Sequence, residues 1–162
     1  AAYRCAIPEL INPSIPECFD ENGFGYSHVA GNVHVLPIRR LTADEISKGS
    51  LTRGWIVQSK DSESTTMGSW RFKDIKDGTA QTFLAGEVNS RFKPWGSPYN
   101  VRDPNLGMNR SPDGFGGTPG SDNTFMLMCD GSVKAVSNAI DPSVAKALGT
   151  PAGGEKVLVD LD

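Results

Sequence analysis

The most regular pattern of hydrophobic positions lies in the last third of the chain. Two apolar runs, Thr124–Cys129 and Ser132–Val136, are separated only by Asp130 and Gly131. An Asp-Gly pair between two strand-like runs is typical of a two-residue type I′ turn, in which both residues have positive φ. The sequence therefore predicts an antiparallel hairpin closed by Asp130 and Gly131.

Shorter patterns predict four more strands. Alternating apolar positions around Val33 and Val35 indicate one of them, and an apolar run after the turn signal Asp77-Gly78 indicates another. The predicted strands cover residues 26–38, 54–58, 79–88 and 155–162.

Two short helices are predicted from the residues at their N-terminal ends. Thr42 to Glu45 has the form of a capping box, and this helix is expected to end at Gly49. Asp141-Pro142 supplies an N-cap and a proline at the first helical position, and this helix is expected to end at Gly149. The patterns together predict an α+β fold with a mostly antiparallel sheet, short helices and long loops.

Two segments lack any periodicity. Residues 1–25 are rich in Pro, Asn and Gly and predict an irregular N-terminal arm over the core. Residues 89–123 predict a long surface loop, and a stretch of this length is either functional or mobile. Phe115 is the only large apolar side chain between Ser111 and Asn123. Packing is therefore expected to contribute little here, so that order would need an ion or a neighbouring subunit.

Length and charge fit one small domain. The chain has 162 residues and a mass of 17.3 kDa, so residues 1–162 are expected to share a single core. Its 16 basic and 19 acidic residues give a net charge of −3, which argues against nucleic-acid binding. No apolar run approaches the ~20 residues of a membrane helix. Membrane contact is therefore expected only through a segment that this chain lacks.

The three cysteines bear on the compartment. Cys5 and Cys18 flank a proline-rich segment, and a disulfide between them would stabilise this loose terminus by roughly 3 kcal/mol. Cys129 lies in an apolar run and is predicted to be a buried thiol. The alternative is three reduced thiols. With the bridge, the protein is expected in an oxidising compartment, outside the cell or in its envelope.

The long loop contains a candidate calcium site. Asp113, Asp122 and Asn123 offer hard oxygen ligands, and Ca²⁺ takes six to eight oxygens. Their spacing differs from that of the common calcium-binding loop, and Gly-rich turns often occur without metal. The leading prediction is therefore that the protein has no cofactor, with calcium as the alternative.

The same stretch contains candidate ligand-contacting aromatics. Trp95, Tyr99 and Phe115 are candidates for a platform that binds a polysaccharide or a partner protein, because exposed aromatic rings stack on sugars and anchor interfaces. The favoured interpretation is that Trp95 and Tyr99 attach the loop to the core.

No pattern in the chain points to catalysis. A hydrolase needs a nucleophile, a base and an orienting acid, but His28 and His34 are the only histidines and no G-x-S-x-G motif occurs. Asp77 and Asp130 each precede a glycine and are explained as turn residues. Glu87 ends an apolar strand and, if buried, needs a backbone N–H or an arginine as its partner. The chain is therefore predicted not to be an enzyme.

Two segments resemble a family of bacterial envelope proteins with a prepilin-type N-terminal methylation helix and a C-terminal domain of unknown function. Residues 77–87, DGTAQTFLAGE, resemble the family's D-G-T-S-N-T-x-x-x-G-E segment, and residues 123–155 resemble its closing segment. The motif residues are Asp77, Gly78, Glu87, Asp130 and Gly131. The family's signature His, ten residues before Asp130, is replaced by Gly120, and the long N-terminal helix is not in this chain.

The resemblance implies a pilin-like or pseudopilin-like architecture with no known catalytic activity. The expected function is a structural or assembly subunit of a surface appendage or an envelope complex, with other protein subunits as partners. The alternative is an extracellular binding module for a polysaccharide or a partner protein.

Overall fold

The computed structural model describes residues 3–36, 38–40, 55–58, 64–67 and 70–155. The helix predicted at residues 42–49 and the last predicted strand, beyond residue 155, lie outside these ranges.

The described residues form an α+β structure dominated by strands, as predicted. Its single described α-helix, α1, spans Pro142–Gly149. The strands are β1 Tyr26–Ser27, β2 Val29–Asn32, β3 Ile38–Arg40, β4 Trp55–Gln58, β5 Ser64–Met67, β6 Phe83–Glu87, β7 Lys93–Pro94, β8 Val101–Arg102, β9 Asn123–Met128 and β10 Val133–Ser137.

The strands form three sheets. The largest has five strands in the order β10-β9-β6-β2-β8, and all of its pairs are antiparallel except β2 with β8. β1 pairs with β7, and β3, β5 and β4 form a three-stranded sheet. The prediction of a mostly antiparallel sheet is therefore confirmed.

The predicted hairpin is β9 and β10, but its turn differs from the predicted type. Of the two turn residues, only Gly131 has positive φ (90°). The Gly131 N–H donates to the Met128 carbonyl at 3.0 Å, and the Met128 N–H donates to the Ser132 carbonyl at 2.8 Å. The loop therefore has three residues with glycine in the left-handed position, which is the geometry of a G1 bulge and not of a type I′ turn.

The main core lies on one side of the five-stranded sheet, which we call the inner face. Alternate residues of β9 and β10 point into it, and α1 covers it. Its fully buried side chains include Phe83, Met108, Phe115, Met126, Met128, Val136 and Leu148. The Asp141 carboxylate accepts from the Ser143 N–H at 2.7 Å and caps α1, as the sequence predicts.

The segment 89–123 contributes directly to this core. Met108 and Phe115 are fully buried, and the Asn109 N–H donates to the Phe115 carbonyl at 2.8 Å. Phe115 also lies so close to Gly86 that a Cβ at that position would be 3.0 Å from its ring. The expectation that packing contributes little here is therefore wrong. Met108, which precedes the stretch between Ser111 and Asn123, is buried in the same core cluster as Phe115.

The strand predicted within residues 26–38 ends earlier than expected. The backbone N–H groups of Val35 and Leu36 both donate to the Asn32 carbonyl, at 3.1 and 2.8 Å. The His34 N–H donates to Asn32 Oδ1 at 2.9 Å. Asn32 therefore turns the chain at the end of β2, and Val33 to Leu36 do not continue the strand.

The predicted disulfide between Cys5 and Cys18 is absent from the structure. Successive N–H groups of an extended chain point to opposite sides: the Gly25 N–H donates to the Tyr3 carbonyl at 3.0 Å, and the Tyr26 N–H donates to the Cys18 carbonyl at 2.8 Å. Gly25 and Tyr26 therefore lie between Tyr3 and Cys18, and Cys5 and Cys18 are not bonded to each other.

Candidate interaction surface

The side of the five-stranded sheet opposite the core, its outer face, carries mostly apolar residues. Directly paired residues of neighbouring strands point to the same side, so the register defines rows across the sheet. One row crosses all five strands and consists of Val133, Leu127, Ala85, Gly31 and Val101. The adjacent row consists of Ala135, Phe125, Glu87 and Val29.

The outer face is uncovered where β9 meets β10. Phe125 and Val133 keep 51% and 62% of their accessible surface, although both lie in regular strands. Phe125 pairs with Ala135 and Leu127 pairs with Val133, so the four side chains are neighbours. We call these four residues the outer-face patch. Contiguous exposed apolar side chains of this kind mark interaction sites on folded proteins.

The other end of the outer face is covered by the chain itself. Leu36 lies over β2, since a Cβ on Gly31 would be 2.7 Å from Leu36 Cδ1. Leu84, at an irregularity of β6, packs against a second buried cluster, which comprises Val35, Ile75 and Cys129. Within the described residues, the uncovered area is therefore concentrated at β9 and β10.

A groove of about 400 Å³ adjoins the middle of the outer face. Val29 and Glu87 of the sheet line it together with residues 9–14 of the N-terminal arm. The Glu87 carboxylate accepts from the Phe125 N–H at 2.9 Å, so the residue that lines the groove also contacts the outer-face patch. Groove and patch are therefore adjacent parts of one surface.

The motif residues behind the family resemblance have structural roles. The Asp77 carboxylate accepts from the N–H groups of Gly153 and Gly154, at 2.7 and 2.9 Å. The Asp130 N–H donates to the Thr79 carbonyl at 3.1 Å, which joins the hairpin turn to the same segment. The two resembling segments therefore hold each other in place.

Asp130 is also fixed by its own turn. Its Oδ1 accepts from the N–H and the hydroxyl group of Ser132, at 2.9 and 2.7 Å. These hydrogen bonds stabilise the charged carboxylate and lower the pKa of Asp130. Asp130 thus stabilises the turn as an ionised acceptor.

The three predicted ligand-contacting aromatics have different positions. Trp95 Nε1 donates to the Cys5 carbonyl at 3.0 Å, and the Trp95 ring lies 5.0 Å from the Tyr3 ring, so Trp95 attaches the N-terminal arm. Tyr99 is exposed. Phe115 is fully buried, so its prediction as a ligand-contacting residue is wrong: it packs in the core with Met108.

Of the three candidate calcium ligands, Asp113 has its carboxylate engaged in an ion pair, and the contacts of Asp122 and Asn123 are made by their backbones. Both carboxylate oxygens of Asp113 lie 2.7 Å from the Arg91 guanidinium. The Asp122 carbonyl accepts from the Asn138 N–H at 2.8 Å, and the Asn123 N–H donates to Ser121 Oγ at 3.1 Å. Across the part of the chain that the structure describes, no group of three or more His, Cys, Asp or Glu side chains is placed to hold a metal ion.

The two histidines differ in their surroundings. His28 is buried, its Nδ1 accepts from the Asn12 N–H at 2.9 Å, and its Nε2 donates to the Glu17 carbonyl at 2.8 Å. Both ring nitrogens therefore hold the N-terminal arm against β2. His34 is half-buried, and its Nε2 lies 3.0 Å from Asp103 Oδ1.

The outer-face patch is not evident from the sequence alone. Thr124, Met126 and Met128 alternate with Phe125 and Leu127, which is the spacing of a strand with two distinct faces. Because both sets are largely apolar, the pattern does not show which of them faces solvent. The register of β10 and β6 against β9 supplies that information.

Comparisons with protein-family models, with curated proteins and with solved structures found no match to this chain. Among the residues described, no helix has the length and apolar character needed to cross a bilayer. Function is therefore inferred from the geometry of the surface and from the motifs.

Proposed function

We propose that this chain is a non-enzymatic assembly subunit of a bacterial surface appendage or envelope complex. The outer-face patch carries the proposal, because Phe125 and Val133 are largely exposed in well-paired strands. Full burial of one such side chain is worth ~1.5–3 kcal/mol. Because Phe125 and Val133 keep 51% and 62% of their accessible surface, a partner that covers the patch would gain roughly half of this free energy per side chain without any change in the sheet.

The family resemblance supports the same class of function. Residues 77–87 and 123–155 are similar to segments of pilin-like envelope proteins, so a pilin-like architecture and an extracellular or envelope location belong to the proposal. Because Cys5 and Cys18 are not bonded to each other in the structure, the location rests on the resemblance and not on a disulfide.

The contacts of the ionisable groups favour a structural role. His28 uses both ring nitrogens to hold the N-terminal arm, Asp77 accepts from two backbone N–H groups, and Glu87 accepts from the Phe125 N–H. Each of these side chains stabilises a junction between distant segments. This is the arrangement expected of a rigid building block.

The proposal is tested by the size of the native complex. In the envelope fraction of the source cell, the wild-type chain should migrate in a complex larger than its own 17.3 kDa. The double variant Phe125→Ser, Val133→Ser should lose that complex while it keeps the wild-type melting temperature within a few degrees. Phe72→Ser is the matched control, since Phe72 is 75% exposed and lies outside the patch. A wild-type chain that migrates alone would contradict the proposal.

A further inference from the structure

One edge of the five-stranded sheet is formed by β10, a strand of five residues. β10 is the outermost strand, and no described strand pairs with its outer side. Met128 and Ser132 form a hydrogen-bonded pair at the turn, and such pairs alternate along an antiparallel ladder. Lys134 and Val136 therefore bond toward β9, whereas the N–H groups of Val133, Ala135 and Ser137 point outward.

Turns at both ends limit the length of this edge. At one end lies the Gly131 turn, and at the other the Ile140 N–H donates to the Ser137 carbonyl at 3.0 Å, which turns the chain away. A strand that pairs with this edge is therefore about five residues long. Its own backbone groups on one side must not be hydrogen-bonded to another strand already. The other described edge strands are shorter, since β8 has two residues, β3 three and β4 four, so β10 itself is the described edge strand of matching length.

We infer that the partner of the β10 edge is a second copy of this chain, paired antiparallel about a two-fold axis through Ala135. The inference rests on the proposed function and names the partner of that assembly. In this register Ala135 faces Ala135 of the second copy, and Val133 faces Ser137 of the second copy. All three outward residues then exchange backbone hydrogen bonds with a partner.

The side chains of β10 fit this register. Its one charged residue, Lys134, faces Val136 of the second copy, so no like charges lie directly opposite each other, an arrangement that would be unfavourable. The small Ala135 side chains meet at the axis, where Cβ atoms of opposed residues are about 5 Å apart. The pairing also places the two outer-face patches side by side in one continuous sheet.

The test is charge complementation at Ala135. Sedimentation velocity on the full chain should show wild-type dimers that increase with concentration. Ala135→Lys and Ala135→Glu should each raise the dimer dissociation constant by roughly tenfold or more, because like charges then face each other. An equimolar mixture of the two variants should restore a heterodimer, which also shows that both variants fold. Ala139→Lys, at an exposed position outside the strand, makes the same charge change and should leave dimerisation unchanged.

Other outcomes separate this inference from the proposed function. If the wild-type chain stays monomeric, or if both Ala135 variants dimerise as the wild type does, the two-fold pairing of β10 is wrong. If both Ala135 variants dimerise as the wild type does, loss of the native complex in the variant Phe125→Ser, Val133→Ser would still support the assembly proposal. A native complex that is insensitive to both sets of variants would overturn both.

Discussion

Asp77 and Gly153, which are 76 positions apart, are joined by a 2.7 Å hydrogen bond from the glycine N–H to the carboxylate. Gly154 donates to the other oxygen of the same carboxylate at 2.9 Å, with a φ of 78° that glycine adopts without strain. Two consecutive N–H groups that converge on one anion form a small anion-binding nest. The contact fixes the segment after α1 to the segment before β6.

The first prediction concerns this contact. Asp77→Asn removes the negative charge and one of the two acceptor oxygens, so the free energy of unfolding should fall by about 1–2 kcal/mol. Urea titration followed by circular dichroism measures the change. Glu21→Gln removes one charge at an exposed site of the N-terminal arm and serves as the control. Equal stability of the two variants would show that the nest contributes nothing.

The second prediction concerns the loop that packs into the core. Phe115→Ala should destabilise the protein by roughly 3–5 kcal/mol, because it removes a fully buried aromatic side chain and leaves a cavity. Exposed Tyr99→Ala should cost much less. Thermal or urea unfolding distinguishes the two. Similar losses would mean that segment 89–123 is not anchored through Phe115.

The third prediction concerns the thiols. Cys5 and Cys18 are not bonded to each other in the structure, so a non-reducing peptide map should contain no peptide that links them. Burial, together with the charge of Asp130, raises the pKa of the Cys129 thiol to about 11. Cys129 should therefore react much more slowly than Cys18 with iodoacetamide at pH 8 in the folded protein. A linked Cys5–Cys18 peptide would contradict the arrangement of these segments.

The fourth prediction concerns acid stability. The Ser143 hydroxyl and N–H groups hold the pKa of Asp141 below its ordinary value of 3.8. Because the folded-state pKa is the lower one, the stabilisation is present above about pH 4 and is lost as the pH falls through the folded-state pKa. Asp141→Asn keeps an acceptor for the Ser143 N–H but does not titrate. Its free energy of unfolding should therefore fall less steeply with acid than that of the wild type, as urea titrations between pH 2 and 7 would show. Parallel pH profiles would be the contrary result.

Local signals predicted the elements that depend on neighbouring residues. Asp130-Gly131 marks the β9–β10 hairpin and Asp141-Pro142 marks the start of α1, because turn and cap preferences act over a few positions. The same locality explains the errors. The Asn32 side chain accepts from the His34 N–H and so helps to end β2. The alternation of apolar residues around Val33 and Val35 predicted instead that the strand continues.

Features set by distant residues were not predictable in the same way. Burial of Phe115 depends on Met108 and on the missing side chain of Gly86, and the placement of Tyr3 and Cys18 depends on Gly25 and Tyr26, which follow both. The outer-face patch depends on strand register. Such information comes from tertiary contacts, which one sequence does not encode locally.

The central claim is that the outer-face patch is covered by another protein subunit in the native assembly. Photo-crosslinking in the source cell tests it most directly, with benzoylphenylalanine in place of Phe125 and, as the control, in place of exposed Phe72. Position 125 should give a discrete adduct whose second component is a defined protein subunit, either a second copy of this chain or another member of the complex, and position 72 should give none. Absence of an adduct at position 125, or the same adducts at both positions, would contradict the claim.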